Sequence, residues 1–155
     1  KSGRFKEDFK NLNLVIAGQF GWLYKDVLKE ISLSKFRENI ILTNRIGDGD
    51  RVHIYNGSEV FVYPSFFEGF GFPPLEAQAC GIPTVASTRT SLPEILGNSA
   101  VLVDPWRVGD LANAIEEILV NQDWRMYLVS AGFRNIQRFS WEKCAKEMVE
   151  ILTNC

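Results

Sequence analysis

The hydrophobic positions of this chain form short apolar runs separated by longer segments of mixed polarity. A run that is apolar throughout, rather than alternating with polar residues, is typical of a strand buried on both faces of a parallel sheet. Gly or Pro closes several of the runs, as expected at the end of a strand. The predicted strands are Asn13–Ala17, Ile40–Leu42, Val60–Tyr63, Thr84–Ala86 and Ala100–Val103.

In the segments between these runs, apolar residues recur at three- and four-residue spacing, which predicts helices with one buried face. The predicted helices are Trp22–Ile31, Pro73–Cys80, Val108–Val120, Trp124 to about Gly132, and a last helix that Ser140 caps. The predicted buried stripes are Leu111, Ala112, Ile115 and Leu119 on Val108–Val120, and Trp141, Ala145, Met148 and Leu152 on the last helix.

Alternating strands and helices predict a Rossmann-like α/β fold, an open parallel sheet with helices on both faces. No repeat or internal linker interrupts residues 1–155, so we interpret the chain as one domain. In such folds ligands bind outside the carboxyl ends of the strands. Functional residues are therefore expected directly after Ala17, Leu42, Tyr63, Ala86 and Val103.

Composition excludes several classes of function. The 17 Lys and Arg residues against 19 Asp and Glu residues give a net charge of −2, which provides no basic surface for nucleic acid. No apolar run approaches the roughly 18 residues that cross a bilayer. The three cysteines show no Cys-x-x-Cys spacing, so neither a disulfide framework nor a zinc site is predicted. We expect a cytoplasmic protein, with peripheral attachment to the inner face of the cell membrane as a further option for the full-length protein.

The segment Pro64–Glu76 carries the clearest candidate chemistry. Gly69 and Gly71 allow backbone amides to approach a ligand, and the helix start behind them adds the positive end of a dipole, which suits a phosphate. Glu68 and Glu76 bracket this turn and would accept hydrogen bonds from hydroxyl groups on either side of a phosphate, as in a sugar nucleotide. The residues alone leave open a second interpretation, in which Glu76 only stabilises the first helical turn and Glu68 is a solvated loop residue.

Glu68 and Glu76 are separated by seven residues within Pro-Ser-x-x-Glu-Gly-Phe-Gly-x-Pro-Pro-Leu-Glu-Ala. This segment closely resembles the E-x7-E signature of glycosyltransferase family 4, whose members are retaining enzymes of the GT-B fold. The resemblance covers nearly the whole chain. Its further motifs are Leu14–Gly18, Gly21–Tyr24, Ala79–Ser87, Ser91–Glu94, Leu102–Pro105 and Phe139–Lys143.

The resemblance implies roles for individual residues. Glu68 would be the catalytic residue, contacting the hydroxyl groups of the donor sugar and orienting it without acting as a nucleophile, and Glu76 would bind the ribose. The amides of Gly69, Phe70 and Gly71 would approach the sugar and the diphosphate. The other residues implied at the donor are Gly18 in the loop after the first strand, Arg45 and Ile46 at the nucleotide base, and Ser91 and Leu92 beside the diphosphate.

The same resemblance implies that residues 1–155 form the donor-binding half of a longer enzyme and lack its N-terminal acceptor domain, so the isolated chain is expected to be inactive. The expected reaction is retaining transfer of a hexose from a nucleoside-diphosphate sugar to a sugar or lipid-linked acceptor in polysaccharide biosynthesis. The motif context is most similar to bacterial mannosyltransferases, which favours GDP-mannose, with UDP-glucose second. No metal or cofactor is expected. The alternative is a non-catalytic sugar-nucleotide-binding or regulatory module of GT-B fold.

Three other signals receive less weight. Asp48-Gly49-Asp50 has the Asp-x-Asp pattern of metal-dependent glycosyltransferases, but the resemblance places it in a loop of a fold that typically needs no divalent metal. His53 is interpreted as a surface residue on a short helix. Gly3-Arg4 with Lys6 has the same residue types as the family's diphosphate-binding element but lies directly before the first strand. We interpret it as a coincidence, which would leave the leaving-group cations upstream of this chain.

Overall fold

The computed structural model describes residues 12–21 and 24–154. They fall into two compact units, with the boundary between Arg51 and Val52. The predictions made for Gly3-Arg4, for Lys6 and for the helix start at Trp22 lie outside the described residues. Across the described ranges, every helix is too short or too polar to span a bilayer.

The first unit contains two parallel strands. β1 (Leu14–Ala17) pairs with β2 (Ile40–Thr43), in register from Leu14 opposite Ile40 to Ala17 opposite Thr43. Helix α1 (Tyr24–Leu33) and a 3-10 turn (Arg37–Asn39) lie between the two strands in the chain. Both strand predictions are confirmed to within one residue at each end.

The prediction that β1 is buried on both faces is wrong. Leu14 and Val15 are 52 % and 40 % exposed, and Ile41 on β2 is 46 % exposed. An apolar run reports a preference for extended backbone, whereas burial depends on what covers the strand. A sheet of two strands has too few neighbours to enclose its side chains.

The second unit contains three parallel strands, β3 (Phe61–Tyr63), β4 (Thr84–Ser87) and β5 (Val101–Val103), in the spatial order β3-β4-β5. All four residues of the central strand β4 are buried. The remaining helices are α2 (Asp48–Asn56), α3 (Phe72–Ala79), α4 (Leu92–Leu96), α5 (Val108–Val120), α6 (Gln122–Ile136) and α7 (Trp141–Thr153), with a 3-10 turn at Gly97–Ser99.

Helices cover both faces of this sheet, as the two neighbouring residues Val85 and Ala86 of β4 show. Val85 belongs to a buried cluster with residues of α5 and α6, and Ala86 to another with residues of α3 and α4. The two clusters are Val85, Val103, Ala114, Ile118 and Leu128, and Leu75, Ala86, Leu92, Ile95, Leu96 and Ala100. The predicted α/β class with parallel strands and flanking helices is confirmed.

Helix ends follow the capping residues. Ser140 Oγ accepts a hydrogen bond from the Lys143 N–H at 3.0 Å, so the predicted cap of α7 is confirmed. Asn121 Oδ1 accepts from the Trp124 N–H at 3.1 Å in the same way, and α6 therefore begins at Gln122, two residues before the predicted start. The predicted bounds of α5 are correct.

Both predicted stripes need correction. On α5, Leu111, Ile115 and Leu119 of the predicted stripe are half-buried, and Leu111 and Ile115 pack against the cluster that contains Val85. The prediction is wrong for Ala112, which is exposed, and it misses the buried Ala114 and Ile118. On α7 no residue is buried, and Trp141 and Leu152 are 78 % and 72 % exposed. Periodicity identifies the apolar face of a helix but not whether another element packs on it.

A buried polar network, which the sequence analysis did not find, joins α3 to α6. Gln78 is 2 % exposed, and its Nε2 donates to the Ser99 carbonyl oxygen at 3.1 Å and to Ser99 Oγ at 2.8 Å. Asn135 Nδ2 donates to Gln78 Oε1 at 3.0 Å and to the Ile95 carbonyl oxygen at 3.1 Å. Gly132 allows this approach, because a Cβ there would lie 3.1 Å from Gln78 Cγ.

We expect Asn135→Ala to lower the free energy of unfolding by about 1–3 kcal/mol, because it leaves the buried acceptor Gln78 Oε1 without its donor. Chemical denaturation measures the change. Asn113→Ala, at an exposed position of α5, is the matched control and should leave stability within about 0.5 kcal/mol of the wild type. Equal stability of the two variants would contradict this account of the core.

Candidate functional site

The loop between β3 and α3 carries the candidate glutamate Glu68 and ends at Gly71. Gly71 has φ +111°, and a Cβ at this position would lie 2.7 Å from Leu92 Cδ2. Both the backbone conformation and the close packing therefore require glycine here. Gly69 has open space around the position of a Cβ, so packing within the described residues does not demand glycine there.

The Glu68 carboxylate is held by two hydroxyl groups of its own segment. Tyr63 Oη donates to Glu68 Oε1 at 2.7 Å, and Ser65 Oγ lies 2.8 Å from the same oxygen. Among the described residues, no contact occupies Glu68 Oε2. The side chain is half-buried, so one carboxylate oxygen is held by two hydroxyl groups, and the other keeps its hydrogen-bonding capacity for a ligand.

The backbone of the same loop is held by the loop that follows β4. The Glu68 N–H donates to Thr90 Oγ1 at 3.0 Å. Ser91 Oγ lies 2.8 Å from the Phe70 carbonyl oxygen and 3.2 Å from that of Glu68. Thr90 has φ +51°, unusual for a β-branched residue. Backbone strain of this kind persists where the surrounding structure holds the residue in place. The hydrogen bond between Thr90 and the Glu68 loop is one such contact.

Glu76 does not lie where the sequence analysis expected it. Helix α3 begins at Phe72, which places Glu76 in the second turn, beyond the amides of the helix start. Its Oε2 accepts a hydrogen bond from Tyr55 Oη at 3.0 Å, and Tyr55 is 6 % exposed. The interpretation of Glu76 as a stabiliser of the first turn is therefore wrong, and the carboxylate is instead anchored to a buried tyrosine.

The start of α3 offers fewer amide donors than an ordinary helix. Pro73 and Pro74 occupy its first turn and carry no N–H group. The dipole of the helix remains, but hydrogen bonds to an anion would come mainly from the residues before Pro73. The Gly69-Phe70-Gly71 stretch is the part of the loop that can provide them.

The pKa values of Tyr63 and Asp104, two groups at this edge of the sheet, shift in opposite directions. Burial, and next the hydrogen bond to Glu68, raise the pKa of Tyr63 well above its ordinary range, so the hydroxyl stays protonated. The Trp106 N–H is the chief cause that lowers the pKa of Asp104, and Arg89 Nη2 lies 3.3 Å from Asp104 Oδ1. Both groups of that ion pair are exposed to solvent, at 46 % and 39 %, so the pair adds little to stability.

Residues 3–135 match the family described as Glycosyl transferases group 1. The chain belongs to this family. It is 37 % identical over 137 residues to O-antigen chain mannosyltransferase B of Escherichia coli, covering 88 % of this chain and 36 % of that relative. It is 36 % identical over 117 residues to a serotype-specific mannosyltransferase of the same organism, covering 76 % of this chain and 14 % of the relative. The chain thus spans about a third or less of the length of these curated relatives.

Solved structures of GT-B glycosyltransferases have the same fold as this group 1 chain. Sucrose-phosphate synthase from Thermosynechococcus elongatus matches with a TM-score of 0.81 and 26 % identity, over 92 % of this chain and 38 % of that one. Anabaena HepE in complex with UDP-glucose matches with a TM-score of 0.78 and 20 % identity, over 92 % of this chain and 41 % of that one. The second likeness shows the fold alone.

The remaining predicted donor residues of this group 1 glycosyltransferase occupy different settings. In the first unit, Gly18 follows β1 with φ +145°, and exposed Arg45 and half-buried Ile46 lie in the segment between β2 and α2. All three thus follow the carboxyl ends of two neighbouring strands. In the second unit, the Ser91 hydroxyl binds the Glu68 loop, and the Leu92 side chain is fully buried in the core.

The Asp-x-Asp pattern lies in a helix rather than in a loop. Asp48-Gly49-Asp50 forms the start of α2, and Asp50 in its first turn lies near the positive end of the helix dipole, where an acidic side chain is favourable. The loop expected from the resemblance is therefore a helical turn in this chain. His53 is exposed in the same helix, as predicted.

We expect Gly71→Ala to lower the free energy of unfolding by about 1–3 kcal/mol, because the substitution forces a strained φ and a clash with Leu92. Gly69→Ala is the matched control and should change stability by less than about 0.5 kcal/mol, since its Cβ meets open space. Thermal unfolding of both variants checks the difference. A Gly71→Ala variant as stable as Gly69→Ala would show that the loop geometry described here is not required.

Proposed function

We propose that this chain is the donor-binding part of a retaining hexosyltransferase that takes a nucleoside-diphosphate sugar. The observation that carries the proposal is the pair of carboxylates, Glu68 and Glu76, each held by a tyrosine hydroxyl and separated by the Gly69–Gly71 turn. Carboxylates held in this way accept hydrogen bonds from sugar hydroxyl groups, and the amides between them suit a diphosphate.

In this proposal each group has one task. Glu68 orients the donor sugar, Glu76 holds the ribose, and the amides of the Gly69–Gly71 turn stabilise, by hydrogen bonds, the charge that develops on the diphosphate as its bond to the sugar breaks. The acceptor hydroxyl oxygen forms its new bond to the sugar on the face that the diphosphate leaves, through an oxocarbenium-like state, which retains the configuration. The hydroxyl proton passes to the departing diphosphate oxygen on the same face. Gly18, Arg45 and Ile46 are proposed to contribute to nucleotide binding. We expect no metal ion and no cofactor.

GDP-mannose is the proposed donor, and UDP-glucose is the second candidate. The named functions of the curated relatives support mannose, since both are mannosyltransferases. A structural neighbour bound to UDP-glucose supports a nucleotide-sugar ligand for this fold. The proposed acceptor is a sugar or a lipid-linked sugar in polysaccharide biosynthesis, bound by a domain that precedes this one in the full-length protein and works at the inner membrane face.

A thermal-shift panel of GDP, UDP, ADP and their sugars on the full-length protein tests the nucleotide class. We expect GDP and GDP-mannose to raise the melting temperature most, because at equal concentration the ligand with the lowest Kd for the folded state stabilises it most. A larger shift with UDP-glucose would replace the proposed donor. No shift with any nucleotide would contradict the donor-binding function itself.

We expect substitutions of Glu68 and Glu76 to differ in which ligand they weaken. Glu68→Gln should weaken binding of the sugar nucleotide by about 10- to 100-fold while leaving the nucleoside diphosphate unaffected, since a hydrogen bond to a charged group contributes about 1.5–3 kcal/mol. Glu76→Gln should weaken both ligands, because the ribose is common to them. Titration calorimetry measures the affinities.

Glu116→Gln, on the exposed side of α5, is the control for this pair and should leave both affinities unchanged. Transfer of the hexose to acceptor by the full-length protein should fall with Glu68→Gln and not with Glu116→Gln. If Glu68→Gln binds and transfers the sugar normally, the proposed role of Glu68 is wrong. Normal binding without any transfer in the wild type would favour the non-catalytic module.

A further inference from the structure

We propose that Tyr63 is a positioning residue that fixes the Glu68 carboxylate so that one defined oxygen faces the donor sugar. This inference rests on the proposed function, because it explains how Glu68 would orient a sugar. Tyr63 would not touch the substrate itself. It would act through Glu68 alone.

The Tyr63 hydroxyl is rigidly placed. Tyr63 is the last residue of β3, its ring stacks on Phe61 with centroids 5.9 Å apart, and it packs against the core cluster that contains Leu75 and Leu92. A side chain held by strand, ring stacking and core has little rotamer freedom left to lose. The short distance of 2.7 Å to Glu68 Oε1 is typical of a charge-assisted hydrogen bond.

Tyr63 is the stronger of the two donors to this carboxylate. The Ser65 hydroxyl has one proton and a second acceptor within reach, the Phe67 carbonyl oxygen at 3.2 Å. Among the described residues, Tyr63 Oη has only Glu68 as its acceptor. Because burial and the carboxylate itself raise the pKa of Tyr63, the hydroxyl remains a donor throughout the neutral range.

The backbone of Glu68 is held by other residues. Thr90 accepts from the Glu68 N–H, and Ser91 binds the carbonyl oxygens of the loop. Removing the Tyr63 hydroxyl should therefore release the carboxylate while the loop stays in place. This separation makes the inference testable without unfolding the site.

The test is Tyr63→Phe in the full-length protein, with titration calorimetry of GDP and GDP-mannose, or of UDP and UDP-glucose if the nucleotide panel selects uridine. The ring and its stacking on Phe61 are preserved. We expect the Kd of the sugar nucleotide to rise about 3- to 10-fold and that of the nucleoside diphosphate to change less than about 2-fold. In the transfer assay kcat should fall about 10-fold, because a loosely oriented donor is less often in reactive geometry.

Tyr127→Phe is the matched control, since Tyr127 is an exposed tyrosine of α6 whose ring stacks on Trp124, and it should leave all these values unchanged. Ser65→Ala is the second variant and should move the same values in the same direction by a smaller factor. If Tyr63→Phe lowers the melting temperature strongly, Ser65→Ala carries the test.

Two results would overturn the inference. One is an equal loss of affinity for nucleotide and sugar nucleotide in Tyr63→Phe, which would indicate a merely structural role. The other is wild-type behaviour of Tyr63→Phe when Glu68→Gln discriminates between the two ligands. If Glu68→Gln itself fails to discriminate, the proposed role of Glu68 fails first, so the two failures are distinguishable.

Discussion

The site depends on hydrogen bonds from hydroxyl groups that hold the Glu68 loop in one conformation. Thr90 and Ser91 bind its backbone, and Tyr63 and Ser65 bind its carboxylate. A loop rich in glycine would otherwise lose much conformational entropy on ordering. Because these hydroxyl groups order the Glu68 loop in the folded protein, the loop loses this entropy on folding and not on ligand binding.

Parallel pairing of β3 and β4 is what brings these groups together. The Glu68 loop follows β3, and Thr90 lies three residues after the end of β4. Since parallel neighbours end at the same edge of a sheet, the loops that follow them meet there. An antiparallel β4 would send Thr90 to the opposite edge. The chemistry at this edge therefore follows from the topology, and the topology follows from the alternation of strands and helices in the sequence.

The sequence predicts the strands, the α5 bounds and the two glutamates, because each depends on local periodicity or on a motif. It does not predict Tyr55 and Thr90 as partners of the site, since they lie 21 and 22 residues from the groups they bind. Such contacts exist only once the strands have paired. The error at Glu76 has a local cause, because α3 begins at Phe72 rather than at Pro73 or later. The predicted burial is wrong for β1 and α7, because periodicity identifies the apolar face of an element and not whether another element packs on it.

The choice of tyrosine to hold a carboxylate has a chemical consequence. An Arg or Lys partner would form an ion pair, neutralise the charge and occupy the oxygen atoms that a sugar hydroxyl needs. Tyrosine donates one hydrogen bond, remains neutral and leaves the full negative charge on the glutamate. Among the described residues, no cation contacts Glu68. Under the proposed function, Glu68 is thus oriented without being neutralised, and it keeps the strong acceptor character through which a carboxylate selects a ligand that offers hydroxyl groups.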